Sequence, residues 1–281
     1  MKLTTPVDIR PSSLGIGYDT PVLLLGSCFT DEIGSKLRTA DFDLLCNPFG
    51  TLYNPLSIAA CLQRAVDNLP MQTDELVMYD GLWHSWLHHS RFSHVDKEQC
   101  LSRCNEAIRQ THEFLEREPL LIVTFGTAWV FERDGSVVAN CHKVPQREFE
   151  RRRLAVQEIV EVWQSLSARL ACPTIFTVSP IRHLADGAHG NQLSKSTLLL
   201  AVDSLVESNQ QAYYFDSYEL LMDQLRDYRF YARDMCHPSD VAVDIVWECF
   251  QEAYMSAETR GQVKRREKEF LRSQHRNIIV D

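Results

Sequence analysis

The sequence has little that would tie it to a membrane, a nucleic acid or a nucleotide. No stretch approaches the run of about 18 apolar residues that a membrane-spanning helix needs, and the segment MKLTTPVDIRPSSLG lacks the apolar h-region of a signal peptide. Lys and Arg number 29 against 38 Asp and Glu, a net charge of −9, with no basic domain to bind nucleic acid. Neither a Gly-x-Gly-x-x-Gly nor a Walker pattern occurs, so a nucleotide cofactor has no sequence support. The nine cysteines are odd in number and scattered, unlike the dense spacing of a disulfide scaffold, and reduced thiols are expected. Internal repeats, low-complexity tracts and obvious linkers are also missing. These absences lead us to expect a cytoplasmic, soluble chain acting on a small molecule, with no cofactor, nucleic-acid partner or membrane partner. They do not fix the oligomeric state.

What is present is enough for a large core: 281 residues, 44% of them hydrophobic. Apolar runs at Val22–Gly26, Leu120–Phe125, Thr174–Val178 and Ala212–Phe215 read as buried strands, with Asp43–Cys46 weaker. Segments of helical period separate them: from Asn54-Pro55 toward Asn68, Asp96–Glu118, Phe149–Ala171 and Ser194–Glu207. Strands alternating with helices predict an α/β fold with three α/β/α layers and a mostly parallel central sheet. Asp134-Gly135 between two β-prone runs predicts a hairpin inserted on the sheet's edge. After Ala257 the chain turns charged nearly all round, so we divide it into one domain over residues 1–257 and a solvated helix or tail over 258–281.

The segment PVLLLGSCFTDEIGSKL ends a buried run in Gly26-Ser27-Cys28 and then becomes amphipathic. In a doubly wound sheet ligands bind beyond the carboxyl ends of the strands, where the next helix also points its unpaired N–H groups. Ser27 would sit there. Far along the chain, RDMCHPSD holds Asp234 and His237 three residues apart, on one side of a single turn. His237 could serve as base to a hydroxyl nucleophile while Asp234 fixes its tautomer.

The motifs LLLGSCFTDEIG, NPFGTLYNP, TFGTAWVF, SPIRH and DMCHPS resemble those of the GSCFA-domain proteins, a bacterial group related to the SGNH/GDSL-type hydrolases. The likeness runs from about Pro21 to about Tyr254, with Thr30 where the family's name has Ala. It implies the SGNH-like three-layer fold, a nucleophilic Ser27, an Asp234/His237 pair and a backbone oxyanion donor at Gly50. It also implies a third block whose usual Gly-x-Asn is replaced here by Gly126-Thr127-Ala128. Thr127, or Asn47 and Asn54 on either side of Gly50, would then supply the missing donor.

Cys28 is the rival nucleophile, and adjacent residues project differently, so only one of the two can face His237; we expect Ser27 to do so, with Cys28 packed inside. His84 and His88 have the spacing of half a zinc site on a helix, but no paired Cys or carboxylate supports a metal. We expect Trp83, Trp86 and His88, with Arg182 and His183, to wall the pocket, Arg182 holding either an anionic substrate group or a structural carboxylate. Lys195 is expected at the surface or anchoring a loop. The resulting expectation is a serine esterase acting on a short-chain acyl ester, with an acylated carbohydrate as its substrate class. The alternatives are an O-acyltransferase of the same mechanism and a non-catalytic ligand-binding protein.

Overall fold

The computed structural model describes residues 5–170 and 172–277; Ala171, at the end of one expected helix, and residues 278–281 of the expected tail lie outside them. In chain order the strands are β1 (Val22–Gly26), β2 (Leu44–Cys46), β3 (Leu76–Tyr79), β4 (Leu82–Ser85), β5 (Leu120–Phe125), β6 (Trp129–Arg133), β7 (Ser136–Val138), β8 (Glu150–Arg153), β9 (Thr174–Val178) and β10 (Ala212–Phe215). The helices are α1 (Cys28–Thr39), α2 (Pro55–Val66), α3 (Lys97–Leu115), α4 (Val156–Ser167), α5 (Gly187–Ser208), α6 (Ser217–Glu219), α7 (Asp240–Tyr254) and α8 (Ala257–Asn277).

The apolar runs pair, all parallel, into one five-stranded sheet in the order β10-β9-β5-β1-β2. Their lack of alternation has a simple cause, since both faces are covered. Leu23 and Leu25 of β1 face a core shared with α2, α3, α4 and α5, whereas Val22 and Leu24 face one shared with α1 and α7. The fold is therefore α/β with three layers. From β1 the chain steps outward to β2, then returns across β1 to build β5, β9 and β10 on the other side. The order reverses between β1 and β5, and it is beyond the carboxyl ends of the strands at such a reversal that sheets of this kind bind ligands.

Helix starts follow local chemistry. Asn54 accepts the Ser57 N–H at 2.8 Å with Pro55 in the first turn, and Asp96 caps α3 through the Gln99 N–H at 2.8 Å.

Three local expectations change. The Asp134-Gly135 hairpin forms between β6 and β7, but it belongs to a separate antiparallel sheet, β7-β6-β8, while β10 and β2 edge the central sheet. Strand β8 occupies the start of the helix expected from Phe149. Its Arg151 stacks over Trp129 and Phe131, and its Arg152 pairs with Glu132. The aromatic segment around Trp83 takes the extended form that its two Trp and Gly81 favour, as β4 of a hairpin with β3 turned by Asp80 and Gly81. Helix α8 is mostly polar, yet Val263 is buried in the second core and Glu267 accepts from the Trp247 indole at 3.0 Å.

Candidate active site

Gly26 ends β1 with a φ of +142°, a region that suits glycine alone, and a Cβ there would meet the Thr124 carbonyl oxygen at 2.2 Å. This turn makes Ser27 the residue before α1 and Cys28 the first residue inside it. The expectation that Ser27 faces His237 is thereby corrected. Ser27 Oγ is buried and has no hydrogen-bond partner among the described residues, while Cys28 Sγ stands 3.5 Å from His237 Nε2. Successive side chains at the head of a helix diverge by about 100°, so one turned inward leaves its neighbour facing His237.

The other half of the relay comes from the loop before α7. His237 Nδ1 lies 2.5 Å from Asp234 Oδ2, and Asp234 Oδ1 accepts the N–H groups of Cys236 and His237 at 2.9 and 3.0 Å. Those two backbone bonds and the imidazole hold the Asp234 carboxyl down to about 2, so it stays ionised. The ionised carboxylate selects the tautomer with the proton on Nδ1 and leaves Nε2 open to accept from the thiol. Burial pushes the Cys28 thiol up, and the fields of Asp31 and Glu32 add to this; the N–H groups of Cys28 and Phe29 pull it down. The resting nucleophile is therefore a neutral thiol, beside helix N–H groups placed to receive negative charge.

The backbone N–H group expected to hold the oxyanion, that of Gly50, is already engaged, and so are those of Ser27, Gly126 and Thr127 beside it. The Gly50 N–H donates to the Asn47 carbonyl at 2.8 Å, Ser27 N–H to Thr124 at 3.3 Å, and the N–H groups of Gly126 and Thr127 to Tyr53 at 2.8 and 3.0 Å. The first closes a turn, the second extends the pairing of β1 with β5 and the last two join loops, which is why none is spare. The Thr127 hydroxyl is also occupied, accepting from the Trp129 N–H at 3.1 Å and lying 3.1 Å from Ser194 Oγ. Asn54 is the cap of α2. Asn47 is a clamp: its Oδ1 accepts from Gly26 N–H at 2.9 Å and its Nδ2 donates to Asp31 Oδ1 at 2.8 Å, tying the end of β1 to α1. Gly50, at a φ of +81°, lets His89 approach where a Cβ would stand 2.2 Å away.

Arg182 serves the relay from behind. Its guanidinium donates to the Met235 carbonyl, its N–H donates to the Cys236 carbonyl at 3.2 Å, and it stacks over Tyr231 at 4.4 Å. The alternative of a structural carboxylate partner gives way to carbonyls and aromatic faces. His183 meets Tyr53 edge to face at 5.8 Å; the field of His237 reaches the former and that of Cys28 the latter.

The expected aromatic wall lies elsewhere. His88 is buried behind the Asn47–Gly50 turn, against Phe49, with its Nδ1 2.8 Å from Ser85 Oγ. Trp86 packs with Phe149 and His142 beneath Arg133, and Trp83 beneath Lys97. His84 spends its ring nitrogens on Ser93 and Tyr79, and no group of three or more potential metal ligands is assembled among the described residues.

Sequence reasoning missed Asp31, which accepts from Thr51 Oγ1 at 3.2 Å as well as from Asn47, and it misplaced Lys195 in part. Lys195 is buried and does anchor loops, with Nζ 2.7 Å from both the Gly126 and Ser179 carbonyls. The readable signal was the spacing of Asn191, Ser194 and Lys195, at i, i+3 and i+4 on one face of a helix.

A family model described as GSCFA family matches residues 21–250, the span that contains every residue of this relay. No curated protein and no solved structure matches the chain.

Proposed function

The chain belongs to the GSCFA family, and from its site we propose that it is a thiol-dependent acyl-transfer enzyme acting on esters, with Cys28 as nucleophile, His237 as base and Asp234 as the group that orients it. The observation that carries this reading is the continuous contact from Cys28 Sγ to His237 Nε2, at 3.5 Å, and from Nδ1 to Asp234, at 2.5 Å. A longer nucleophile–base contact is usual before substrate binds.

The chemistry follows from that order. His237 Nε2 takes the thiol proton as sulfur attacks the ester carbonyl carbon, and the oxyanion forms beside the open N–H groups of Cys28 and Phe29. The carbonyl re-forms, the C–O bond to the alcohol breaks, and the leaving alkoxide takes its proton from Nε2. Water or an acceptor hydroxyl then gives its proton to Nε2 and attacks the thioester, and the Cys28 thiolate leaves and is reprotonated. With water the enzyme is an esterase; with a sugar hydroxyl it is an O-acyltransferase. Tyr53, His183, Arg182 and Tyr231 around the relay are polar and aromatic, which supports a short acyl group and a polar, carbohydrate-like substrate.

The test is to mix the protein with a chromogenic acetyl ester, quench early and locate the acyl group by mass spectrometry, with and without sugar acceptors. Acetyl on Cys28, lost in Cys28→Ala and kept in Ser27→Ala, is the expected result. Acetyl on Ser27 would return the nucleophile to the serine. A chain that is never acylated would be a binding protein.

A further inference from the structure

The segment from His88 to Phe92, after β4, has no part in the relay, yet it grips the turn Asn47–Gly50. That turn is closed by the Gly50 N–H on the Asn47 carbonyl at 2.8 Å. The carbonyls of its first three residues are each met from the later segment. Arg91 donates from one guanidinium nitrogen to the Asn47 carbonyl at 2.6 Å and to the Pro48 carbonyl at 3.2 Å, and the His89 N–H donates to the Phe49 carbonyl at 3.1 Å. Gly50, lacking a Cβ, lets the His89 side chain lie where that atom would be.

The same turn sets the end of β1. Asn47 has a φ of +44°, a left-handed backbone that few residue types accept, and its side chain takes the Gly26 N–H at 2.9 Å and donates to Asp31 at 2.8 Å. Just past the turn, the Leu52 N–H donates to the Gly26 carbonyl at 2.9 Å. Both backbone polar groups of Gly26, whose φ decides that Cys28 meets His237, are thus tied to residues 47–52. A left-handed residue persists where its surroundings over-determine it. Arg91 supplies part of that constraint, since a charged donor binds a carbonyl more strongly than a neutral one. Among the described residues its guanidinium bonds to no carboxylate; it lies 5.2 Å from the ring of Phe92, which is buried against His88. A cation placed on two main-chain carbonyls with no anionic partner serves the backbone it touches.

We propose that Arg91 is a positioning residue for the nucleophile: by fixing the Asn47 and Pro48 carbonyls it holds the Asn47 side chain against Gly26, and through Gly26 it keeps Cys28 Sγ in reach of His237. This rests on Cys28 being the reactive group. Without that hold the turn relaxes, the sulfur drifts from Nε2, and the thiol loses the acceptor of its proton. A misplacement of about 1 Å can cost about 100-fold in rate even when the substitution lies away from the chemistry.

The experiment measures alkylation of Cys28 by iodoacetamide at neutral pH, read on its peptide by mass spectrometry, in the wild-type chain, Arg91→Ala and Arg91→Lys. The buried thiols of Cys61 and Cys104 are followed in the same samples. Cys28 alkylation is expected to slow about ten-fold in Arg91→Ala, with Cys61 and Cys104 as protected as before. Most of the rate should return in Arg91→Lys, whose ammonium still offers donors to the two carbonyls. A general loosening of the fold would instead speed the reaction of all three thiols. That outcome, a wild-type rate in Arg91→Ala, or a loss that lysine does not relieve would each overturn the proposal. Should Arg91→Ala fail to fold, Arg91→Gln, a shorter and neutral donor, is compared with the wild type, and equal Cys28 rates there refute it. The readout needs no turnover: a chain whose Cys28 slows as expected but forms no acyl-enzyme would defeat the esterase reading and leave the Arg91 assignment standing.

Discussion

At the scale of single residues, the relay depends on which atom a half-exposed imidazole can reach, and Asp234 settles the imidazole's orientation. With its carboxyl held down to about 2, Asp234 is ionised at any pH where the protein would be assayed. Replacing it by asparagine keeps an oxygen for the Cys236 and His237 N–H groups, so the loop should survive. The amide cannot hold the Nδ1 proton as a carboxylate does, nor stabilise the imidazolium that forms when the thiol is deprotonated. Asp234→Asn should therefore lower kcat on the order of 100-fold or more with KM little changed, since the lost interaction belongs to the transition state. Steady-state kinetics on a chromogenic ester check this, and an unchanged kcat would remove Asp234 from the mechanism.

At the scale of elements, two asparagines seven residues apart do different work, which their shared chemistry concealed. Asn54 caps a helix; Asn47 bridges Gly26 and Asp31 across the strand-to-helix turn that presents Cys28. Asn54→Ala should cost about 1 kcal/mol of stability and leave Cys28 alkylation as it was. Asn47→Ala orphans a buried N–H, should cost about 1–3 kcal/mol, and should also change the alkylation rate of Cys28; urea unfolding together with iodoacetamide kinetics separates the two. The same contrast explains what was legible. Buried parallel strands announce themselves as uninterrupted apolar runs, and β1, β5, β9 and β10 were read from them. So was the Asp134-Gly135 turn, because only a few residue types accept its backbone. Strand β8, Glu-Arg-Arg-Arg, has no strand signature, and its partners Trp129 and Glu132 come from a distant segment. Helix α5 begins seven residues before the expected Ser194 because Gly187 and Gly190 imitate a loop. At the site, the Asp234/His237 pair was visible from its spacing. Which of Ser27 and Cys28 faces it was not, since the answer lies in the single φ of Gly26.

At the scale of the whole molecule, buried histidines between the small hairpins and the first core set the response to acid. Burial holds His88 down to about 3, with the charges of Arg64, His142 and Arg91 adding to it; His142 is held down to about 4, again chiefly by burial, against the pull of the Ser85 carbonyl. In the unfolded chain each would titrate near 6.5, so below that pH the unfolded state binds more protons than the folded one. Stability is then complete above about pH 6.5 and falls as pH drops toward the folded values, by at most about 1.4 kcal/mol per pH unit for each histidine. Lys195 adds no slope in this window, being protonated in both states, and the carboxylates with lowered values, Glu106 and Glu158 among them, enter only near and below the usual carboxylate range. Between pH 6.5 and 4.5 the loss therefore belongs to the histidines, and the carboxyls of Asp216 and Glu219, raised by burial, work against it by taking up protons earlier in the folded state. Urea midpoints measured across that window should decline steadily in the wild-type chain and decline less in His142→Gln, whose amide can still donate toward Ser85. A wild-type midpoint that stays flat to pH 4.5 would mean that these imidazoles take up protons without unfolding the hairpins that cover them.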